Sequence, residues 1–104
     1  MQISKQACYK LVSKIKPGRV STYKELALAL GTKAYRAIGA ILNQNPNAPK
    51  VPCHRVVMSD GSLGGYRYGA AKKASLLKAE GVKISMGKVQ RFESVLQKLS
   101  SSCR

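Results

Sequence analysis

The chain has 104 residues, with 19 Lys and Arg against only four Asp and Glu, so a formal charge of +15 sits on a sequence that is 44% hydrophobic. That is the size of one ordinary domain with one modest core, and the basic excess calls for a polyanion: nucleic acid first, and an anionic membrane surface far behind, because no segment joins a cationic face to a broad apolar stripe and Trp is absent. No apolar run reaches membrane-spanning length, the first residues lack a signal-peptide core, and Cys8, Cys53 and Cys103 are odd in number without metal-type spacing, which excludes a disulfide framework and a zinc knuckle and leaves a soluble, unexported protein of a reducing compartment, cytoplasmic or, in a eukaryote, nuclear.

Taken in chain order, Ile3, Ala7, Leu11, Val12 and Ile15 recur at helical spacing up to Pro17-Gly18, which stop the first helix. Thr22 with Glu25 three residues on is a capping box for a second helix whose apolar face is Leu26, Ala27 and Leu30, ending at Gly31. Thr32 is placed to cap a third helix through Tyr35, Ile38, Ile41 and Leu42, ending near Asn45-Pro46, so two helices meet across a short Gly-containing turn in helix-turn-helix grammar. Residues 43–52 form a restricted loop in which the Asn45 amide can bond backbone groups of the turn. Val56-Val57-Met58 and residues 62–66 flank an Asp60-Gly61 turn and read as a small hairpin, a wing. Residues 70–79 read as a helix burying Ala74, Leu76 and Leu77 and stopped by Gly81, and Val89, Phe92, Val95, Leu96 and Leu99 space as a terminal amphipathic helix. The fold class expected is mainly α, a winged-helix-like helix-turn-helix domain with a small β-hairpin.

The chemistry points to Pro52-Cys53-His54-Arg55, where a thiol is followed directly by the chain's sole histidine. An imidazole beside a thiol can take its proton or stabilise the anion, and Pro52 donates no backbone hydrogen bond, so a fixed, non-regular turn is expected. Adjacent side chains diverge in most conformations, so a water or a tight turn must carry the proton and a third group must orient the ring. A small inert buried thiol beside a surface histidine fits these two residues equally well.

Over about four-fifths of its length the chain resembles the DNA-binding, active-site domain of the O6-alkylguanine-DNA alkyltransferases. The resemblance rests on Val20-Ser21-Thr22-Tyr23 with Glu25-Leu26-Ala27, Arg36-Ala37-Ile38-Gly39, Asn45-Pro46, Val51-Pro52-Cys53-His54-Arg55-Val56-Val57, Gly64-Gly65-Tyr66-Arg67, and Lys73 through Leu77 with Glu80-Gly81. It implies that Cys53 accepts an alkyl group from O6-alkylguanine, or from O4-alkylthymine, flipped out of duplex DNA, in one irreversible turnover. It further implies that Glu80 orients His54, that His54 draws the Cys53 proton through water, that Asn45 holds the turn, and that Tyr23 donates to the ring nitrogen on the leaving side of guanine. Arg36 would be the finger that fills the vacated base stack, on a minor-groove helix whose Ala34, Tyr35, Ala37 and Gly39 meet DNA; Tyr35 departs from the small residue common there. Pro52, Val56, Tyr66 and Arg67 would form the substrate pocket, with the Arg67 backbone N–H approaching O6. Lys72 and Lys73 either meet phosphate or form a solvated face.

Most relatives carry a further N-terminal domain, sometimes with zinc, whereas this chain begins at the DNA-binding domain. The expectation is therefore a unit over residues 1–82, a basic helical extension over 83–104 packed on it, no metal, no cofactor, and a monomer acting on double-stranded DNA with no membrane role. Short alkyltransferase-like proteins share this architecture but carry Trp at the position of Cys53 and bind lesions without repairing them; retention of Cys53 favours transfer. A non-catalytic lesion binder that recruits excision repair is the alternative, and a helix-turn-helix regulator with an incidental Cys53 a third reading.

Overall fold

The computed structural model describes residues 4–45, 50–66, 68–97 and 99. Helix α1 (Lys5–Val12) starts where the Ser4 hydroxyl accepts the Ala7 N–H at 3.2 Å, and it stops at Ser13, short of the Pro17-Gly18 boundary that the apolar spacing predicts. Ile15 reaches the core from a turn instead of a helix.

Strand β1 (Ser21–Thr22) runs directly into helix α2 (Tyr23–Leu30). Thr22 is extended, at φ −128° and ψ 160°, and its hydroxyl accepts the Glu25 N–H at 3.0 Å, as a capping Thr should. The Glu25 carboxylate accepts the N–H of Leu99, so the residue at the third position of the box also anchors the distant end of the chain. Gly31 closes α2 in the left-handed region (φ 71°), and the Thr32 N–H bonds the Ala27 carbonyl at 2.9 Å, a Schellman-type stop. Helix α3 (Tyr35–Asn43) begins after Ala34, which contributes no side-chain cap. Thr32, expected in that role, spends its hydroxyl one step earlier, accepting the Ala34 N–H inside the turn. Helices α2 and α3 thus form the helix-turn-helix, with Ile38, Ile41 and Leu42 buried.

After α3 the chain returns through a 3-10 turn (Cys53–Arg55) to strand β2 (Val56–Val57), which pairs in parallel with β1, Ser21 opposite Val56 and Thr22 opposite Val57. All four residues are buried. Because successive strand residues face opposite ways, Val56 enters a core with Cys8, Val12, Leu26 and Ile38, and Val57 enters a second with Val20, Leu63, Leu77 and Val82.

The expected hairpin is replaced at this point. The Asp60-Gly61 turn is present, with the Met58 N–H on the Ser62 carbonyl at 2.8 Å, but its second limb pairs elsewhere: Ser62 bridges Lys88. Helix α4 (Ala70–Ala79) lies where the sequence places it, yet it buries Lys73 with Leu77, while Ala74 and Leu76 are only partly covered.

The largest departure is terminal. In place of an amphipathic helix, the chain forms an antiparallel hairpin of β3 (Ile84–Ser85) and β4 (Lys88–Val89), then a four-residue helix α5 (Phe92–Val95). Beyond it the backbone runs alongside Val20, which donates to the Val95 carbonyl at 2.9 Å and accepts from Gln97 at 2.7 Å. Gln97 also brackets the α1–β1 connection, accepting the Lys16 N–H and donating to the Lys14 carbonyl. The backbone N–H and carbonyl of Val20, just before β1, need partners, and a strand-like strap supplies them where a helix cannot. Val89 and Leu99 remain buried, so the apolar spacing marked core residues under the wrong secondary structure.

The Thr22 cap joins the sheet to the helix-turn-helix, so Thr22→Ala is expected to lower the free energy of unfolding by about 1 kcal/mol, read as a lower urea midpoint with unchanged slope.

Candidate active site

The turn that carries Cys53 is built by its neighbours. Pro52 sits at φ −83° and ψ 62°, and the Cys53 N–H bonds the Val51 carbonyl at 2.8 Å across it, an inverse γ-turn that fixed proline φ favours. One 3-10 turn follows, with the Arg55 N–H on the Pro52 carbonyl at 3.0 Å, and the chain enters β2. Asn45, fully buried at the end of α3, crosses the loop: its Nδ2 donates to the Val51 carbonyl at 2.8 Å and stands 3.4 Å from Cys53 Sγ. One amide therefore sets the turn and points an N–H at the sulfur.

His54 is 1% exposed. Its Nε2 lies 3.1 Å from Glu80 Oε2, at the C-terminal cap of α4. The carboxylate accepts, so Nε2 carries the hydrogen and Nδ1 keeps a free lone pair. Nδ1 is buried and takes no hydrogen bond from the described residues. Glu80 is also held by Arg55, through Nε to Oε1 at 2.9 Å and Nη2 to Oε2 at 2.5 Å, while Arg55 Nη1 donates to the Ile15 carbonyl at 2.7 Å. Burial pushes the Glu80 carboxyl up, but the bonds from Arg55 and His54 outweigh it and hold the group below the usual range. Burial pushes His54 down despite Glu80, so the imidazole is neutral near pH 7 and can accept a proton.

The remaining predicted residues fall into two groups. Tyr23 opens α2 half-buried, its phenol pushed up by burial and by the neighbouring Cys53. Tyr66 meets the His54 ring edge-on, with centroids 6.4 Å apart, and its hydroxyl is buried without a partner among the described residues. Pro52 is buried beneath the turn. Val56, expected to line a pocket, puts its side chain wholly in the core, because it is the inward residue of β2. Arg67 lies outside the described residues.

Beside the turn opens a cleft of about 620 Å³, lined by Tyr23, Lys24, Tyr35, Arg36, Gly39, Asn43, Met58, Ser59 and Gly65. Arg36, Gly39 and Asn43 share one face of α3 by helical spacing. Ala37 and Ala40 are exposed, Ala34 and Gly39 half-buried, and Tyr35 is exposed at the rim. Cys53 does not line the cleft and is only 4% exposed; Tyr23, on the cleft wall, also packs against the core that contains Cys53. Gly64, in the loop before the cleft residue Gly65, adopts φ 72°, a left-handed backbone that favours glycine, and a Cβ there would also crowd the Met58 side chain at 3.2 Å. Among the described residues no three His, Cys, Asp or Glu side chains gather as a metal site.

Two residues were not legible. Arg55 stands in the motif, but nothing in sequence shows that it grips Glu80. Lys73, read as phosphate-facing or solvated, is completely buried, with Nζ on the Gly65 carbonyl at 3.0 Å and 5.9 Å from the centre of the Tyr23 ring. The sequence signal was its helical spacing to Leu77, which places both on one face.

Residues 4–82 match the family model described as the DNA-binding domain of 6-O-methylguanine DNA methyltransferase. A methylated-DNA–protein-cysteine methyltransferase of Methanosarcina barkeri is 46% identical over 76 residues, covering 72% of this chain and 48% of that protein. The chain spans about half the length, or less, of the curated relatives it matches first. Among solved structures, Mycobacterium tuberculosis OGT in complex with DNA superposes with a TM-score of 0.70 at 39% identity, over 73% of this chain and 48% of that one. S. pombe Atl1, in complex with damaged DNA containing O6-carboxymethylguanine, superposes with a TM-score of 0.79 at 27% identity, over 94% of this chain and 99% of that one. With the motifs in order, the helix-turn-helix present and more than half of the chain inside the family model, the chain belongs to the 6-O-methylguanine DNA methyltransferase family and carries its DNA-binding domain.

Proposed function

We propose that this domain binds duplex DNA through α3 and repairs O6-alkylguanine by a single, irreversible transfer of the alkyl group to Cys53. The observation that carries the reading is the chain of contacts around one thiol: Asn45 on the sulfur, and a buried neutral His54 held by a Glu80 that Arg55 neutralises. The Cys53 proton passes to His54 Nδ1 through a water, and the imidazolium is stabilised by Glu80. The thiolate then attacks the alkyl carbon in line with the C–O6 bond. A C–S bond forms, the bond between the alkyl carbon and O6 breaks, and its electron pair passes to the guanine ring, which takes a proton from the Tyr23 hydroxyl; the imidazolium gives up its proton through solvent and the phenolate regains one, so both side chains end neutral. The product is a thioether, a poor leaving group with no group beside it able to remove it, so each molecule acts once.

On the DNA side, +15 of charge supplies sequence-independent affinity by counterion release. The α3 face offers Arg36 as the side chain that fills the stack, among small residues that admit a close sugar-phosphate wall. Gly39 supports this reading. A Cβ there would meet nothing within 4 Å, so packing does not require glycine, although glycine inside a helix costs about 1 kcal/mol against alanine. The fit to the minor groove, and action as a monomer, belong to the same proposal.

A second reading, lesion binding without repair, is favoured by the near-complete superposition on S. pombe Atl1, which includes more of this chain than the OGT structure does. The thiol discriminates, since the alkyltransferase-like relatives carry Trp at that position. Cys53→Ser should abolish transfer while leaving lesion affinity within about threefold, because the hydroxyl fills similar space but is a far weaker nucleophile. Intact mass after incubation with an O6-methylguanine duplex checks it: the parent should gain one methyl group at Cys53, and an unmodified parent that still binds the lesion would establish the second reading.

Arg36→Ala should slow repair of duplex substrate by at least about tenfold, in line with an unstacking cost of a few kcal/mol, and leave dealkylation of a free O6-alkylguanine base nearly unchanged, since the base needs no extrusion. Equal losses on both substrates would assign Arg36 to the pocket. Gly39→Ala should raise stability by about 1 kcal/mol and weaken binding to duplex DNA, compared by urea denaturation and fluorescence anisotropy. Unchanged binding would remove α3 from the interface.

A further inference from the structure

The β3–β4 hairpin lies beyond residue 82, where the match to the family model stops, and the alkyl-transfer reading gives it no task. From residue 83 to residue 91 the chain carries three cations, Lys83, Lys88 and Arg91, and no acid. All three are exposed, and the ion pairs among the described residues end on Glu80 instead. The tip is tightly built: Met86 at φ 53° and Gly87 at φ 76° are both left-handed, as the type I′ loop of a two-residue hairpin requires.

Backbone pairing fixes where this charge stands. The Met58 N–H bonds the Ser62 carbonyl at 2.8 Å, Ser62 stands opposite Lys88, and Lys88 stands opposite Ser85. Alternation then sorts the faces. Val57, Leu63, Val89 and Ile84 pack into the second core, so Met58, Ser62, Lys88 and Ser85 share the opposite face, and Lys83, two residues before Ser85, lies on it too. Met58 and Ser59 wall the cleft together with Arg36. The outer face of the hairpin therefore continues the cleft wall, with the Lys88 backbone about 10 Å from Met58 at the usual strand spacing. Asp60, in the adjoining turn, is engaged by its own loop: its carboxylate accepts the Ser62 N–H at 2.9 Å and the Ser62 hydroxyl at 2.7 Å.

We propose that the β3–β4 hairpin is a second DNA-binding element, a wing whose Lys83 and Lys88 contact backbone phosphates of the duplex that sits on α3. The proposal deepens the DNA-binding reading and rests on it for the identity of the polyanion. Charge complementarity selects the occupant, since this face presents two ammonium groups without carboxylate partners among the described residues and continues the wall that carries Arg36. It selects phosphate over bases as well. The exposed side chains of the face are Lys83, Ser85, Lys88 and Gln90, with no aromatic ring to stack, and such contacts fix the position of a duplex without reading its sequence.

The experiment is fluorescence anisotropy on an unmodified duplex from about 0.05 to 0.2 M salt, for the parent chain and two double variants. Lys83→Gln with Lys88→Gln removes the charge of the wing. Lys5→Gln with Lys10→Gln removes the same charge from exposed positions of α1, which contributes no strand to this sheet. The wing variant is expected to lose about 0.9 of slope per phosphate contact, about 1.8 in all, and at least about tenfold in affinity at 0.1 M salt, while the α1 variant keeps the parent slope within about 0.5. All four side chains are exposed, so both variants are expected to keep the urea midpoint of the parent. A wing variant with the parent slope, or an α1 variant that loses as much, overturns the proposal. Intact mass on an O6-methylguanine duplex separates the two readings: a parent with a wing-dependent slope that gains no methyl group keeps the wing and rejects alkyl transfer, and a parent that gains the methyl group with a wing-independent slope does the reverse.

Discussion

Glu80 between Arg55 and His54 is the contact on which the site and much of the fold depend. Two guanidinium bonds and one imidazole contact converge on a single carboxylate at the end of α4. The same Arg55 reaches the Ile15 carbonyl, so the α4 terminus, the turn bearing Cys53 and the segment after α1 are joined at one point. A partly buried pair of this kind adds modest net stability when intact. Removing one partner, by contrast, leaves a charge without compensation and costs on the order of several kcal/mol. The geometry also separates the roles of Arg55 and His54: Arg55 neutralises Glu80, which leaves His54 able to stay neutral.

A second constraint is the parallel β1–β2 pair. It is only two residues long, but it is buried on both faces and divides the apolar side chains into two cores. The functional groups are attached to its ends. Thr22 finishes β1 and caps α2, which starts with Tyr23; Val56 begins β2 directly after the Cys53 turn. Tyr23 thus leaves the end of β1 and Cys53 precedes the start of β2, with 29 residues of chain, including α3 and the turn before it, between them. The terminal strap runs parallel to Val20, the residue before β1, and bonds both its N–H and its carbonyl.

What could be read directly from the chain was whatever depends on a few adjacent residues. Thr22 with its N-cap bond, Gly31 with its positive φ, the bounds of α4 and the Pro52 turn all follow from local steric and hydrogen-bond preferences, and these act the same way in any fold. The helical class, the helix-turn-helix and the Cys53-His54 pair follow for that reason. The thiol's neighbours were legible only through family resemblance, because no local rule brings residue 80 to residue 54.

The failures share one cause, which is that apolar spacing reports burial and not the backbone that achieves it. Val89, Val95 and Leu99 do face cores, but the segment meets backbone groups elsewhere in the chain, the hairpin at Gly61 to Leu63 and the strap at Val20, and an unbroken helix would have kept those groups for itself. Thr32 lost its cap role because the turn before α3 competed for the same hydroxyl. Lys73 is the clearest case: its residue type predicts solvent, and its helical position predicts the buried face of Leu77. Composition and local pattern settled the helical class, the Thr22 and Gly31 ends of α2 and the basic character of this protein; three-dimensional packing settled which strands pair, which cation neutralises Glu80 and that Lys73 is buried, because those outcomes are set by long-range contacts whose energies no short stretch of chain contains.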